Sequence, residues 1–101
     1  MLSEQQEEDT RRQLKESLDL AGVDIQTIAD DLGTTTEYIE RLFRLEPIRL
    51  EDTWILRNYL EEKVEKAGKE PVKFTSLRKN AYHIIWFLDA KYIDGRKITT
   101  V

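Results

Sequence analysis

Residues able to take part in catalysis are few and scattered in this chain of 101 residues. The single histidine, His83, borders the most apolar run of the sequence, and no spacing places it beside a serine as a nucleophile–base pair would require. Cysteine is absent, and one histidine is too few for a usual transition-metal ligand set. The four glycines are isolated, so no phosphate-cradling loop is indicated. The sequence therefore predicts a protein that is not an enzyme and that holds no metal or cofactor.

Side chains suited to contacting DNA are concentrated in residues 35–44. Arginine pairs with guanine edges or phosphates, hydroxyl groups reach phosphates or bases, and glutamate accepts a hydrogen bond from cytosine. Two glutamates in a groove lined by phosphates cost affinity unless they are matched. The candidate DNA-contacting residues are Thr35, Thr36, Glu37, Glu40, Arg41 and Arg44.

The same face has a second interpretation as a solvated helix surface. Glu37 and Arg41 are four residues apart with the acid first, and Glu40 and Arg44 repeat that spacing. Ion pairs of this kind stabilise an exposed helix by ~0.2–0.5 kcal/mol each. The sequence leaves open whether this face contacts DNA or only solvent.

Two short amphipathic helices that meet at Gly33 would position these side chains. Gly33 can end the first helix because glycine adopts a positive φ without a Cβ clash. The second helix can begin either at a Thr35 cap or at a capping box of Thr34 and Glu37. The apolar residues recur at helical spacing. They are Ile25, Ile28, Ala29 and Leu32 in the first helix and Tyr38, Ile39, Leu42, Phe43 and Leu45 in the second.

Residues 24–45 resemble the helix-turn-helix unit of bacterial repressors. The resemblance implies that the second helix enters the major groove with the outward side chains of its N-terminal part. Two helices packed at a sharp turn need the same residues without DNA, so the motif alone does not establish DNA binding. The matching positions are the small Ala29, the turn residue Gly33, the cap Thr35 and the inward Ile39 and Leu42.

Charge is distributed unevenly along the chain. The net charge is −4, which argues against binding nucleic acid by charge alone. Residues 24–45 carry five acids and two bases, whereas residues 71–101 carry two acids and six bases. We therefore expect the basic tail to supply phosphate contacts if DNA is bound. The candidate phosphate-contacting residues are Arg11, Arg12, Lys73, Arg78, Lys79, Lys91, Arg96 and Lys97.

Capping and breaking residues predict an all-α fold, a compact bundle of about five helices in one domain over residues 1–101. The fourth helix is expected over residues 53–67 and the fifth through Leu88, and residues 74–79 are expected to form a single helical turn. The expected caps are Ser3, Asp24, Asp52 and Asn80, and the expected stops are Gly22, Pro47 and Gly68.

The end of the chain is less regular. Residues 84–88 are apolar all round, which predicts burial either under the first and fourth helices or against a second copy in a homodimer. The Asp94–Gly95 pair between β-prone residues is typical of a two-residue hairpin turn, so residues 89–101 are expected to form a short C-terminal β-hairpin or a frayed basic tail. The candidate dimer residues are Ile84, Ile85, Trp86, Phe87 and Leu88.

The order of these features resembles a family of small bacterial proteins of unknown function with a helix-turn-helix-like centre. The resemblance covers residues 3–88 and is carried by the polar first helix and by residues 20–24, 28–40, 50–60 and 68–75. It implies a compact helical domain and does not imply an activity.

Three functions from different classes follow from these patterns. The first is a small DNA-binding transcriptional regulator, and the alternative is a non-catalytic protein-interaction module that keeps the helix-turn-helix shape. The third is a ligand-binding sensor, which would need a sizeable apolar pocket near Trp54 or Trp86. A positive rim around residues 35–44 would favour DNA, and a continuous negative face would favour a protein partner.

The sequence also bears on the cellular compartment. No apolar run approaches the ~20 residues that a membrane-spanning helix needs. The first residues are polar and acidic and do not resemble a signal peptide, and the absence of cysteine fits a reducing compartment. We therefore expect a cytoplasmic protein.

Overall fold

The computed structural model describes residues 2–78 and 81–100. Over these residues the chain forms five α-helices and one 3-10 turn, Ala81–Ile84, and it contains no strand. The all-α prediction of about five helices is confirmed. None of the helices in this part of the chain has the length and apolar character needed to cross a membrane. The α-helices are α1 (Glu4–Ala21), α2 (Ile25–Leu32), α3 (Thr36–Phe43), α4 (Leu50–Lys66) and α5 (Ala90–Asp94).

Helix α1 begins and ends at the predicted residues. Ser3 forms a capping box with Gln6, in which the Ser3 hydroxyl accepts from the Gln6 N–H at 3.2 Å and the Gln6 side chain accepts from the Ser3 N–H at 2.8 Å. Gly22 ends the helix in the left-handed conformation, with φ of 68°. The helix packs along α4, and its Gln13 side chain donates to the Thr75 hydroxyl at 3.1 Å, which holds the segment after α4 in place.

Helix α4 is the centre of the fold, because it contacts α1, α3 and α5 and because residues 52–60 are all buried. The prediction that Asp52 caps this helix is wrong. The helix begins at Leu50, with Arg49 in the cap position, and Asp52 is a fully buried residue of its first turn. Asp52 lies one turn before Leu56 and so continues the inward stripe rather than preceding it.

The predicted helix through Leu88 is not formed. Its expected cap, Asn80, lies outside the described residues, and the chain makes a 3-10 turn at Ala81–Ile84 and then leaves helical geometry before α5. Residues 75–77 form bends rather than the expected helical turn, whose last residue, Lys79, is also outside the described part. The local apolar pattern was helical, but tertiary contacts of Phe74, Leu77 and Tyr82 with the core hold an irregular path.

The predicted β-hairpin around Asp94 and Gly95 is also wrong. Asp89 caps α5 by accepting the Tyr92 N–H at 3.0 Å, and Gly95 keeps a right-handed conformation at φ of −68°. The chain turns one residue later, at Arg96, where φ is 58°. The tail is not frayed either, because Ile98 is buried and its N–H donates to the Leu32 carbonyl at 2.8 Å.

The apolar segment at residues 84–88 has two sides. Ile84 and Trp86 point to solvent and are 87% and 93% exposed, so α1 and α4 do not cover them. Ile85 and Leu88 are half-buried and pack against the core. The segment therefore closes over the protein with one side and presents an apolar surface on the other.

Candidate nucleic-acid interface

The two helices of the helix-turn-helix unit are fixed by three local caps. The Asp24 carboxylate accepts the Thr27 N–H at 2.8 Å and begins α2. Hydrogen bonds from the Thr27 side chain and then from its N–H lower the pKa of the Asp24 carboxyl. Gly33 ends α2 with φ of 77° and donates its N–H to the Ala29 carbonyl at 2.9 Å. Thr35 begins α3 by accepting the Tyr38 N–H at 3.1 Å, which decides between the two caps that the sequence allowed.

Helix α3 presents the predicted residues on its outer side. Tyr38, Ile39 and Leu42 are buried against α2 and α4. Because a helix places residues three and four apart on one side, the remaining positions face away from the core. Four of the six candidate side chains are exposed and two are half-buried. The exposed ones are Thr35, Glu37, Glu40 and Arg44, and the half-buried ones are Thr36 and Arg41.

The arginines of α3 do not form the predicted pairs with the glutamates four residues before them. Both are directed toward Glu46 instead: Arg41 Nε donates to the Glu46 carbonyl at 3.1 Å, and Arg44 Nε lies 3.3 Å from the Glu46 carboxylate. The pairs Glu37–Arg41 and Glu40–Arg44 are absent within this described stretch, which overturns the ion-pair form of the solvated-face interpretation.

A shallow cavity of 390 Å³ lies where α1, α2 and α3 meet, and cations surround it. Arg11 and Lys15 from α1 and Arg44 from α3 line it together with Glu40. Arg11 is also 3.7 Å from Glu7, and Lys15 is 3.8 Å from Asp19, so both cations sit in exposed, weak ion pairs. Arg11 is one of the predicted phosphate-contacting residues and Lys15 is not, although Lys15 follows Arg11 by four residues and so shares its helix face.

The basic tail reaches the turn of the helix-turn-helix unit. Lys97 Nζ donates to the Asp31 carbonyl at 2.8 Å, and the Lys97 side chain lies against Gly33. Arg96 turns the other way and pairs with Glu62 of α4 at 2.6 Å. Of the tail cations that the structure describes, Lys97 is therefore the one placed beside the start of α3.

The other predicted phosphate-contacting residues are dispersed. Arg12 pairs with Asp9 at 3.2 Å and Glu16 at 3.1 Å on α1. Lys73 and Arg78 are exposed on the segment that packs against α1 and α4, and Lys91 is exposed on α5. Lys79 lies outside the described residues. Among the described residues, the structure thus gathers Arg11, Arg44 and Lys97 around the helix-turn-helix unit and does not gather the other candidates.

The inner side of α3 is held by a buried carboxylate, Asp52, whose predicted role was a helix cap. The Tyr38 hydroxyl donates to Asp52, and the Tyr92 hydroxyl donates to the same carboxylate at 2.8 Å. The Tyr38 oxygen also accepts the Ile48 N–H at 3.1 Å. Burial, followed by the hydrogen bond to Asp52, raises the pKa of the Tyr38 hydroxyl. Asp52 therefore joins α3, α4 and α5 at one point.

The same kind of contact recurs across the molecule. The chain has four tyrosines, and each hydroxyl donates to an aspartate: Tyr59 to Asp31 at 2.5 Å and Tyr82 to Asp94 at 2.5 Å, besides the two bonds to Asp52. The Asp31 bond ties α4 to the end of α2. His83 Nε2 lies 3.0 Å from Asp94 and, with Tyr82, lowers the pKa of that carboxyl. His83 is thus an exposed partner of Asp94.

Comparison with known proteins identifies the family. No curated protein and no solved structure matches the chain at a significant level. Residues 1–89 match the model of a family described as "Uncharacterized protein conserved in bacteria (DUF2316)". The match covers most of the chain, including α1 to α4 and the helix-turn-helix unit, and it confirms the resemblance to a small bacterial family of unknown function. The chain belongs to this family.

Proposed function

We propose that this protein is a small DNA-binding transcriptional regulator in which α3 is the recognition helix. The observation that carries the proposal is the arrangement of α3, which is fixed on its inner side and leaves its outer side uncovered. Thr35 and Thr36 lie at its N-terminal end, the end that enters the major groove in helix-turn-helix proteins. Hydroxyl groups there are suited to phosphate oxygens and base edges.

Cations flank α3 at both ends. Lys97 lies at the turn that precedes the helix, and Arg11, Lys15 and Arg44 surround the cavity near its C-terminal half. Phosphate contacts on either side of a recognition helix position it on the duplex. Because Arg11, Lys15 and Arg44 are held only by exposed ion pairs, a phosphate can replace the carboxylate partner at small cost.

The experiment that tests this function is selection from randomised duplex DNA, followed by anisotropy measurements over a salt series. Arg44→Ala should weaken binding of the selected duplex and reduce the salt slope by about 1. Lys66→Ala is the matched control, since Lys66 is an exposed cation at the far end of α4. Equal effects of the two substitutions, or no enrichment of any duplex, would contradict DNA reading by α3.

A second candidate function, a protein-interaction module, is favoured by the acids around the same face. Asp30, Asp31, Glu37 and Glu40 are exposed, and Glu46 already occupies both arginines of α3. Such a face would attract a basic protein segment by charge complementarity. This function predicts that a lysine-rich peptide binds and that duplex DNA does not. It also predicts that Glu37→Gln weakens binding of the peptide.

Helix-turn-helix proteins commonly bind DNA as two-fold dimers, and we propose the exposed side of residues 84–88 as the dimer surface. Ile84 and Trp86 form its centre. Light scattering should give twice the chain mass of 12.0 kDa, and Trp86→Ser should return it to the single-chain value. A species of 12.0 kDa at micromolar concentration would exclude this dimer.

A further inference from the structure

The last residues that the structure describes, 96–100, lie across the end of α2 and are called the C-terminal strap below. The Ile98 N–H donates to the Leu32 carbonyl at 2.8 Å, and Lys97 Nζ donates to the Asp31 carbonyl at 2.8 Å. The last four carbonyls of an α-helix have no donor within the helix. The strap therefore supplies two hydrogen bonds that α2 cannot make itself, directly before the turn that leads into α3.

One side chain anchors the strap in the protein. Ile98 is 3% exposed and belongs to the hydrophobic core, whereas its neighbours Lys97 and Thr99 are exposed. The Ile98 carbonyl and the Lys97 side chain lie beside Gly33, the residue that ends α2. The strap therefore packs against the turn of the helix-turn-helix unit as well as bonding to the helix before it.

A second connection joins the strap to the inner side of α3. The Thr99 N–H donates to the Tyr92 hydroxyl at 3.1 Å, and the same hydroxyl donates to Asp52 at 2.8 Å. Asp52 also accepts the hydroxyl of Tyr38, which belongs to α3. Hydrogen bonds in such a chain strengthen one another, because each polarises the next. The strap is thus connected to α3 twice, through the turn and through Tyr92 and Asp52.

The docked strap also places a positive charge. An ammonium group has three donor hydrogens, and the Asp31 carbonyl accepts one from Lys97. Because the Lys97 side chain is exposed, its other donors can reach a phosphate oxygen beside the start of α3. A segment at the end of a chain that is held by one buried side chain opens more readily than the core. The strap can therefore detach while the helices stay folded.

We infer that the strap positions α3 for DNA, with Ile98 as its anchor and Lys97 as a phosphate contact. A detached strap releases the turn and moves the Lys97 charge away, so DNA binds the detached form less tightly. By linkage, DNA then favours the docked strap by the same factor. This role rests on the proposed binding of DNA by α3.

Hydrogen exchange at the Ile98 amide measures opening of the strap in the full, unsubstituted chain. Saturation with the duplex selected by the protein should slow this exchange about tenfold, a typical size for coupling between two sites. The Lys69 amide is the control, since it donates to the Val64 carbonyl at the far end of α4 and also opens locally. Its exchange should change much less than that of Ile98.

Substitution of the anchor tests the same coupling from the other side. Ile98→Ala should weaken duplex binding by about the factor that DNA slows the Ile98 amide. Without DNA, it should speed exchange of the Gly33 amide, which donates to the Ala29 carbonyl at 2.9 Å, more than that of Leu56 in the middle of α4. Thr99→Ala is the matched control, because its side chain is exposed and the substitution keeps the backbone N–H.

The charge of the strap is tested separately. Lys97→Gln should reduce the salt slope of duplex binding by about 1, and Lys97→Arg should restore it. An unchanged slope in Lys97→Gln would exclude the phosphate contact.

Three further outcomes would overturn the inference. Duplex binding that leaves exchange at Ile98 unchanged would remove the coupling and leave the proposed function intact, and it decides the case even if Ile98→Ala does not fold. Equal acceleration at Gly33 and Leu56 in Ile98→Ala would make Ile98 a core residue without a positioning role. Absence of any duplex binding would overturn the coupling together with the proposed function.

Discussion

The two sides of α3 use carboxylates in opposite ways. On the inner side, Asp52 is fully buried and receives hydrogen bonds from the hydroxyls of Tyr38 and Tyr92. On the outer side, Glu46 is exposed and is contacted by Arg41 and Arg44. The inner contacts are between neutral donors and a buried acid. The outer contacts are an exposed ion pair between Arg44 and the Glu46 carboxylate and a hydrogen bond from Arg41 to the Glu46 backbone carbonyl.

This difference gives the two sides separate roles: the inner side holds α3 in place, and the outer side is available for binding. Removing a buried, hydrogen-bonded carboxylate is costly because its donor groups lose their acceptor where water cannot replace it. An exposed ion pair contributes about 0–1 kcal/mol and is screened by salt, so another anion can replace it. The inner side therefore sets the position of α3, and the outer side is free to exchange partners, as a DNA-binding surface requires.

The largest effect is expected from removing the inner carboxylate. Asp52→Ala removes the acceptor of the Tyr38 and Tyr92 hydroxyls and should lower the free energy of unfolding by about 3 kcal/mol. Asp30→Ala is the control, since Asp30 is an exposed acid of α2, and it should change stability by less than about 0.5 kcal/mol. Urea unfolding measures both, and equal losses would show that Asp52 does not hold the helices together.

A smaller effect is expected from each hydroxyl alone. Tyr92→Phe removes one of the two donors to Asp52 and the hydroxyl that accepts the Thr99 N–H at 3.1 Å. It should cost about 1–2 kcal/mol, less than Asp52→Ala. In a double-mutant cycle with Asp52→Ala, the two losses should be far from additive. Additive losses would mean that the hydroxyl and the carboxylate act separately.

The inner side also predicts a dependence on alkaline pH. Burial and a hydrogen bond to an aspartate raise the pKa of Tyr38, Tyr59 and Tyr82 above the ordinary value of 10.0. A pKa that is raised by folding contributes stability that is present below pH 10 and is lost as pH rises through the folded-state pKa. The free energy of unfolding should therefore fall above about pH 10. It should fall less steeply in the Tyr59→Phe variant than in the unsubstituted chain.

At acidic pH the free energy of unfolding depends on pH with the opposite sign. His83 and Tyr82 lower the pKa of Asp94 below its ordinary value of 3.8. This contribution is present above about pH 4 and is lost as pH falls through the folded-state pKa. Asp94→Asn should flatten the loss of stability in acid, as measured by unfolding at a series of pH values. If Asp94→Asn leaves the loss of stability at acidic pH unchanged, the Asp94 carboxylate does not stabilise the folded state.

The smallest effect on stability is expected on the outer side. Glu46→Gln should change the free energy of unfolding by less than about 0.5 kcal/mol. It should strengthen binding of duplex DNA severalfold, because Arg44 loses its anionic partner, while Arg41 keeps its hydrogen bond to the Glu46 backbone carbonyl. Glu65→Gln, at an exposed acid of α4, is the control for the change in net charge. An equal gain in DNA affinity in both variants would mean that the effect comes from net charge alone and that Glu46 has no specific role.

The parts of the fold that sequence predicted are those governed by neighbouring residues. Ser3, Asp24 and Gly33 act on backbone groups within five residues, and all three were identified. Asp52 was assigned to a cap because a local rule fitted it, while its partners Tyr38 and Tyr92 lie 14 and 40 residues away. The stripe of Asp52, Leu56 and Leu60 was the signal that could have placed it inside.

The C-terminal part was predicted poorly for the same reason. An Asp–Gly pair favours a hairpin only if the flanking residues can pair as strands. Here Asp89 caps a helix before that pair, and Ile98 packs beside α2. The outer residues of α3 were identified from helical spacing, but the turn of Arg41 and Arg44 toward Glu46 depends on the end of the helix rather than on the spacing.

The central claim is that α3 contacts DNA with its outer side while its inner side stays fixed. The most direct test is an NMR titration of the labelled chain with duplex DNA at low salt, following every backbone amide. The claim predicts that the perturbed amides lie in residues 34–44 and around Lys97, with the Asp52 amide unmoved. Perturbations confined to the far end of α4, or no perturbation at any DNA concentration, would contradict it.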